Sequence, residues 1–362
     1  MVLGVIAFFP DNPLLLKKFF GLSAIENFMR VKDEYVSTPP FVLLAENDDV
    51  VNVLASRYSD KVAKCARDKV TDTVAGSANY LAAMANEPLK RVAREAYATV
   101  PEIYVAFSDE NEKITPDIYE QLQWFEDFNA SLQDIPALRH SIRLCVNYAL
   151  EDNGVEFLDV NNTYIDHGVK VGKGTVIYPN VIIEGDTEIG ENCVIGTGCN
   201  IRSSKIGSGC SLQYVFATEA QVDDNVSIGP FVNLRPKTHI YSDCKIGDFV
   251  EVKNSNVHKG TKLPHLSYIG DADVGERVNV GCGSIFVNYD GKNKMRTTVG
   301  DDVFIGCNSN LVAPITVGND VYIAAGSTLT DDVADGEMAI ARARQVNKAG
   351  WVPPYKRKKT EE

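Results

Sequence analysis

The feature that most constrains this chain is a count of six. Ile165, Val171, Ile177, Ile183, Ile189, Ile195 and Ile201 are aliphatic at every sixth position without a miss. After small slips the count resumes at Ile206, Leu212, Ile228, Leu234, Ile240, Ile246 and Val252, then at Val274, Val280 and Phe286. It restarts at Val299 and runs through Ile305, Leu311, Val317 and Ile323 to Leu329. Such a period predicts a parallel β-helix, in which each hexad makes one short strand and one turn. The aliphatic residue points into the prism and stacks on its counterparts above and below, and glycine serves the turns. Three hexads close a triangular coil, so about nine coils fit between Ile165 and Asp332.

Residues 1–153 have another texture. "NPLLLKKFFGLSAIENFMRVKDEY" and "DDVVNVLASRYSDKVAKCARDKVTDTVAGSANYLAAM" space apolar residues three and four apart, which predicts a mainly helical region. "STPPFVLLAENDD" reads as a turn, one candidate strand and a helix start. "IPALRHSIRLCVNYALEDNG" predicts a helix closed by Asn153-Gly154. The expected organisation is α+β and multidomain: a mainly helical domain over 1–134, a connector helix over 135–154, a β-helix over 155–338, and a C-terminal segment with a basic tail over 339–362.

Net charge is −13, which argues against a general nucleic-acid footprint. The basic run Lys356–Lys359 is either a solvated tail or a small anion contact. No apolar run has the roughly eighteen residues of a membrane span, and "MVLGVIAFFPDN" lacks the basic region of a signal peptide. Eight cysteines without metal-ligand spacing fit a reducing cytoplasm. Cys193, Cys199, Cys210 and Cys244 each lie two residues before a hexad aliphatic, where small side chains pack. Cys282 and Cys307 lie two residues after one, on turns.

Chemistry is expected where the repeat is interrupted. "NLRPK" holds Arg235, "GDFVEVKNS" holds Glu251 and Lys253, and "KLPHLSYIGDADVGERVNVGCGS" holds His265, Tyr268 and Asn279. Between Phe286 and Val299 the interval is thirteen, and "NYDGKNK" supplies Asn288, Tyr289, Asp290 and Lys294. Arg235 and Lys253 are eighteen apart, one coil, so both cations should leave the same wall and suit a phosphate. His265 stands in a loop outside the hexad register, and Glu251 could orient it as a general base.

These motifs together resemble the acetyltransferase domain of bacterial bifunctional UDP-N-acetylglucosamine pyrophosphorylase/glucosamine-1-phosphate N-acetyltransferase. "HLSYIGD" and "NYDGKNK" carry the resemblance beyond the generic hexads, and it extends to "AIARARQVNKAGW" at 339–351. It implies a left-handed β-helix, a homotrimer and acetyl-CoA as cosubstrate, with no metal for acetyl transfer. Arg235, Lys253 and Lys294 would hold the sugar phosphate, with Tyr268 and Asn279 placing the sugar. His265 would be the base, oriented by Glu251. Asn288 and Tyr289 would bracket the amine and the acetyl group. Ala325, Arg342, Lys348 and Trp351 would contact acetyl-CoA, partly from an adjacent subunit. The family usually has serine where this chain has Cys307, a weaker hydrogen-bond donor for the departing thiolate. Backbone N–H groups on the turn Gly281–Gly283 would meet the oxyanion.

The family's N-terminal nucleotidyltransferase signature is not matched by "MVLGVIAFFPDNPLLLKKFFG". The resemblance therefore implies no uridylyl transfer by this chain and a possible separate nucleotidyltransferase partner. Three functions stay open on the sequence: N-acetylation of glucosamine 1-phosphate in UDP-N-acetylglucosamine biosynthesis, the same chemistry on another amino-sugar phosphate or nucleotide sugar, and a non-catalytic β-helix scaffold.

Overall fold

The protein is described by a computed structural model. It describes residues 135–356 throughout and, before them, 2–9, 18–19, 22–23, 41–45, 48–58, 62–64, 77, 91–95 and 102–107. The chain divides into two compact units, Met1–Ser203 and Ser204–Glu362.

In the first unit, the described residues before the connector form a five-stranded sheet, a two-stranded antiparallel pair of Lys18–Phe19 with Leu22–Ser23, and one helix longer than a turn. The strand order is Val62–Lys64, Phe41–Ala45, Val2–Phe9, Glu102–Phe107 and Arg91–Glu95. Val2–Phe9 is central, parallel to Phe41–Ala45 and antiparallel to Glu102–Phe107. A mainly helical domain is therefore not what the described residues make. The helical stripe beginning at Asp48 is a helix only to Tyr58 and gives way to the strand Val62–Lys64. Short runs such as "VLGVIAFF" and "EIYVAF" are rich in β-branched and aromatic residues, and this composition outweighs the three-and-four spacing around them. "FVLLA" is the strand expected of it. Most of "NPLLLKKFFGLSAIENFMRVKDEY" lies outside the described residues, as do residues 357–362 of the basic tail.

The connector helix spans Ile135–Asp152. Gly154 ends it at φ +88°, and its N–H donates to the Glu151 carbonyl, a left-handed C-terminal cap. The helix docks on the first coil through Asn147. This buried amide donates to the carbonyls of Val160 (2.9 Å) and Thr163 (3.0 Å). The coils that follow have a pitch of eighteen residues: Val176 pairs Val194 and Ile182 pairs Asn200, all parallel. Ile165, Ile177, Ile183, Ile189, Ile195 and Ile201 are buried, as the hexad count requires.

The second unit continues the pattern with three parallel walls per coil. Its pitch runs from sixteen (Lys205 on Gln221) through seventeen (Lys262 on Asn279) to eighteen (Phe304 on Tyr322). One coil differs. Asn279 pairs Phe304, Ala272 pairs Thr297, and Ile285 pairs Asn310, so this coil takes twenty-five residues. The excess is the segment after Val287. Phe286, Ile305, Leu311 and Ile323 are fully buried on either side of it, so the prism continues beneath. Cys193, Cys199, Cys210 and Cys244 are buried at corners, and burial pushes the Cys244 thiol up to about 11. Among the described residues no helix is long and apolar enough to cross a membrane.

Candidate active site

The site is built on the second unit's two longest strands, Lys245–Lys253 and Lys262–Gly270, which lie side by side in parallel register. In that register Asp248 faces His265 and Glu251 faces Tyr268. Gly247 makes the approach possible, because a Cβ there would sit 1.8 Å from the Pro264 carbonyl oxygen. His265 Nδ1 lies 2.7 Å from Asp248 Oδ1. The imidazole beside it holds the Asp248 carboxyl below its ordinary value. An ionised carboxylate only accepts, so Nδ1 carries the hydrogen of this bond. In the neutral ring Nε2 is then the free basic nitrogen, on a side chain more than half exposed.

Glu251 does not orient His265, as the sequence led us to expect. It accepts from Arg235 Nη1 at 2.8 Å. The register explains the exchange: at a pitch of seventeen the residue beneath His265 is Asp248, and Glu251 lies three further along the strand.

Arg235 and Lys253 follow the paired residues Leu234 and Val252, so they leave the same wall one coil apart. The coil of twenty-five brings a third cation to them. Its excess residues form a tight hairpin in which Tyr289 bridges Lys294 and Met295 N–H donates to the Asn288 carbonyl. Asp290 Oδ1 accepts the N–H of Lys292 (2.7 Å) and Asn293 (2.6 Å), closing the tip, and Gly291 supplies φ +98°. Arg296 fastens the base of the hairpin by a two-armed pair with Asp273 and bonds to the carbonyls of Asn254 and Ala272.

Asp271 ties this wall together. Its carboxylate accepts from Asn254, Asn288 and Lys253, the last at 3.2 Å. Burial pushes its pKa up, but the three donors outweigh burial and hold it below the ordinary value. Asn288 also donates to the Tyr268 hydroxyl at 3.3 Å. Lys294 lies against Lys253, and the neighbouring ammonium lowers the Lys294 pKa below its ordinary value. Three cations thus meet two carboxylates, Glu251 and Asp271, on one wall.

A separate column runs along the corner where His265 sits. The seventeen-residue register sets Cys282 beside His265, the twenty-five-residue coil sets Cys307 beside Cys282, and the next coil adds Ala325. Backbone bonds confirm the stacking: Gly283 N–H donates to the Leu266 carbonyl, Asn308 N–H to Cys282, and Gly326 N–H to Cys307. The Gly281 and Gly283 amides, expected as oxyanion donors, are consumed by the Ile305 and Leu266 carbonyls. Among the described residues, the N–H groups of Cys282, Cys307 and Ala325 have no acceptor, so the donors of this corner sit one residue along. Arg342 passes the same corner: its Cδ would lie 3.9 Å from a Cβ placed on Gly326.

Not every expected residue joins these groups. Asn279 lies on the preceding wall, between Lys262 and Phe304, and not beside Tyr268. Tyr289 is exposed, its hydroxyl donating to the Gly291 carbonyl. Lys348 and Trp351 are exposed farther along the C-terminal segment. Sequence reasoning missed Asp248, Asp271 and Arg296. Asp248, His265 and Asp271 share one signal, each standing two residues after a buried wall residue, Ile246, Leu263 or Ile269. Among the described residues, no group of three or more His, Cys, Asp or Glu could hold a metal.

Known proteins carry the same pattern. Residues 168–203 and 296–331 match the bacterial transferase hexapeptide model of six repeats. The bifunctional protein GlmU of Clostridioides difficile is 50% identical over 211 residues, 58% of this chain and 46% of that protein. The Listeria monocytogenes protein of the same name is 46% identical over 231 residues, 62% of this chain and 50% of that protein. The hexapeptide part of this chain resembles the acetyltransferase domain of GlmU. The chain spans about half the length of these GlmU relatives. Among solved structures, an Arabidopsis UDP-N-acetylglucosamine acyltransferase matches with a TM-score of 0.34 at 18% identity, over 51% of this chain and 69% of that one.

Proposed function

We propose that this protein is an acyltransferase that moves the acetyl group of acetyl-CoA to the amine of glucosamine 1-phosphate. The observation that carries the reading is the hairpin of the twenty-five-residue coil. It brings Lys294 against Lys253 and Asn288 against Tyr268 and Asp271, beside Arg235. Stacked cations repel, and a dianionic phosphate offsets that repulsion while accepting charge-assisted hydrogen bonds.

The chemistry then follows from the strand that carries both Tyr268 and His265. A sugar amine is mostly protonated near neutral pH and attacks a thioester only as it loses its proton. His265 Nε2 takes that proton, and Asp248 stabilises the imidazolium that results. The tetrahedral oxyanion meets the free amides of the corner turns. Coenzyme A leaves as a thiolate, with the Cys307 thiol at the turn to donate to it. No covalent acyl-enzyme is invoked. We further propose a homotrimer, in which Asn279, Arg342, Lys348 and Trp351 serve a neighbouring subunit's site. This accounts for the separation of Asn279, Lys348 and Trp351 from Tyr268 and His265 within one chain.

The test is thiol release from acetyl-CoA in the presence of glucosamine 1-phosphate. The reading expects saturable release that depends on the sugar phosphate. An absence of release with this substrate would refute it.

A further inference from the structure

The corner column sets two cysteines of free thiol on successive coils. Cys282 and Cys307 are half-buried and exposed, unlike the buried corner cysteines. They occupy equivalent turn positions, since Val280 pairs Ile305 and Asn308 N–H donates to the Cys282 carbonyl at 2.7 Å. The two turns touch through backbone: a Cβ on Gly281 would lie 2.5 Å from Cys307 N. Neighbouring parallel strands stand about 4.8 Å apart, inside the Cα separation of roughly 4.4–6.8 Å that a disulfide spans. Parallel Cβ atoms at that spacing must close by about 1 Å to reach the usual Cβ separation of about 3.8 Å. Cys282 lies between Gly281 and Gly283, the latter at φ +76°, so its turn has unusual backbone freedom. The residual strain would make the bond easy to reduce.

We propose that Cys282 and Cys307 are a reversible dithiol–disulfide site whose oxidation stops acyl transfer. The oxidant class is a low-molecular-weight disulfide. The Cys307 thiolate attacks one of its sulfurs, expels one small thiol and forms a mixed disulfide. The Cys282 thiolate then attacks Cys307 Sγ, expels the second small thiol and closes the intramolecular bond. Two electrons pass from the pair to the small disulfide, and the two protons end on the released thiols. The closed bond removes the thiol placed for the leaving group and tilts the turns beside His265. The stop to transfer rests on the proposed function, whereas formation of the bond does not.

The experiment equilibrates the full chain in glutathione redox buffers of rising oxidised fraction. Blocked, digested protein is read by mass, and acetyl transfer is measured in parallel. The expected result is a Cys282–Cys307 peptide lacking two hydrogen atoms. With it, turnover falls about a hundredfold, the scale of an ångström-sized misplacement, and dithiothreitol restores both. Cys282→Ser should stop at the mixed disulfide, gaining one glutathione on Cys307 and giving no linked peptide. Cys307→Ser, compared with its own reduced activity, should give no linked peptide and keep its turnover under the same buffers. Failure of the linked peptide to form in fully oxidised buffer overturns the site. Turnover that persists with the link formed, or an equal oxidative loss in Cys307→Ser, overturns the gating. Protein that is inactive when reduced yet forms the link would instead count against the proposed function.

Discussion

Two stretches of stacked coils treat charge in opposite ways. Elsewhere in the solenoid several stacked polar residues meet a complement, Lys170 on Glu188 at 2.6 Å, Asn256 on Asp273 and Arg277 on Asp302 at 2.7 Å, although Lys245 lies on Lys262. Along the site wall Arg235 lies beneath Lys253, and Lys294 is folded over to join them. A solenoid holds side chains one coil apart at about 4.8 Å whether they attract or repel. Complementary stacks therefore need no explanation beyond the fold. The site wall gathers three cations, Arg235, Lys253 and Lys294, against two carboxylates, Glu251 and Asp271, and this excess of positive charge marks the wall as a place for an anion.

The largest expected effect lies at the corner. His265→Ala should lower kcat by about 10²–10⁴-fold, the usual share of a positioned base, with KM for the sugar phosphate little changed. A larger loss in KM than in kcat would make His265 a binding residue. Next comes the crowding of Lys294 by Lys253 on the wall. Because Lys253 lowers the Lys294 pKa, Lys294 loses its charge at a pH below the ordinary lysine value of 10.5. KM for a phosphate-bearing substrate should climb there as pH rises, and Lys294→Arg, charged throughout, should move that climb to higher pH. An unchanged profile would separate Lys294 from the phosphate. The smallest effect belongs to the regular coils: Lys170→Ala removes an exposed pair and should leave the melting temperature unchanged within error.

How much of this was legible in the sequence follows from the same contrast. The hexad count reports strand, turn and buried face together, so the solenoid and the place of its interruption could be read directly, but not the hairpin that the interruption forms. The stack of Arg235 on Lys253 was legible because that coil keeps a pitch of eighteen. The partner of His265 was not, because the next coil takes seventeen and the shift puts Asp248 where Glu251 was expected. The free amides of the corner turns lie one residue from those expected for a related reason. Which amides of a turn are consumed depends on the coils above and below it, not on the turn's own sequence. In the first unit the spacing of apolar residues favoured helix, yet strand pairing between Val2–Phe9, Phe41–Ala45 and Glu102–Phe107 is long-range and leaves no period to count.

The account stands on the claim that the cation wall reads a phosphate. The direct test compares kcat/KM for glucosamine 1-phosphate and for glucosamine, in the wild type and in Arg235→Ala. The wild type should prefer the phosphate ester strongly. Arg235→Ala should lose about 10–100-fold on the ester alone, the worth of one charge-assisted contact. Equal kcat/KM for the two sugars in the wild type, or equal losses on both in Arg235→Ala, would contradict it.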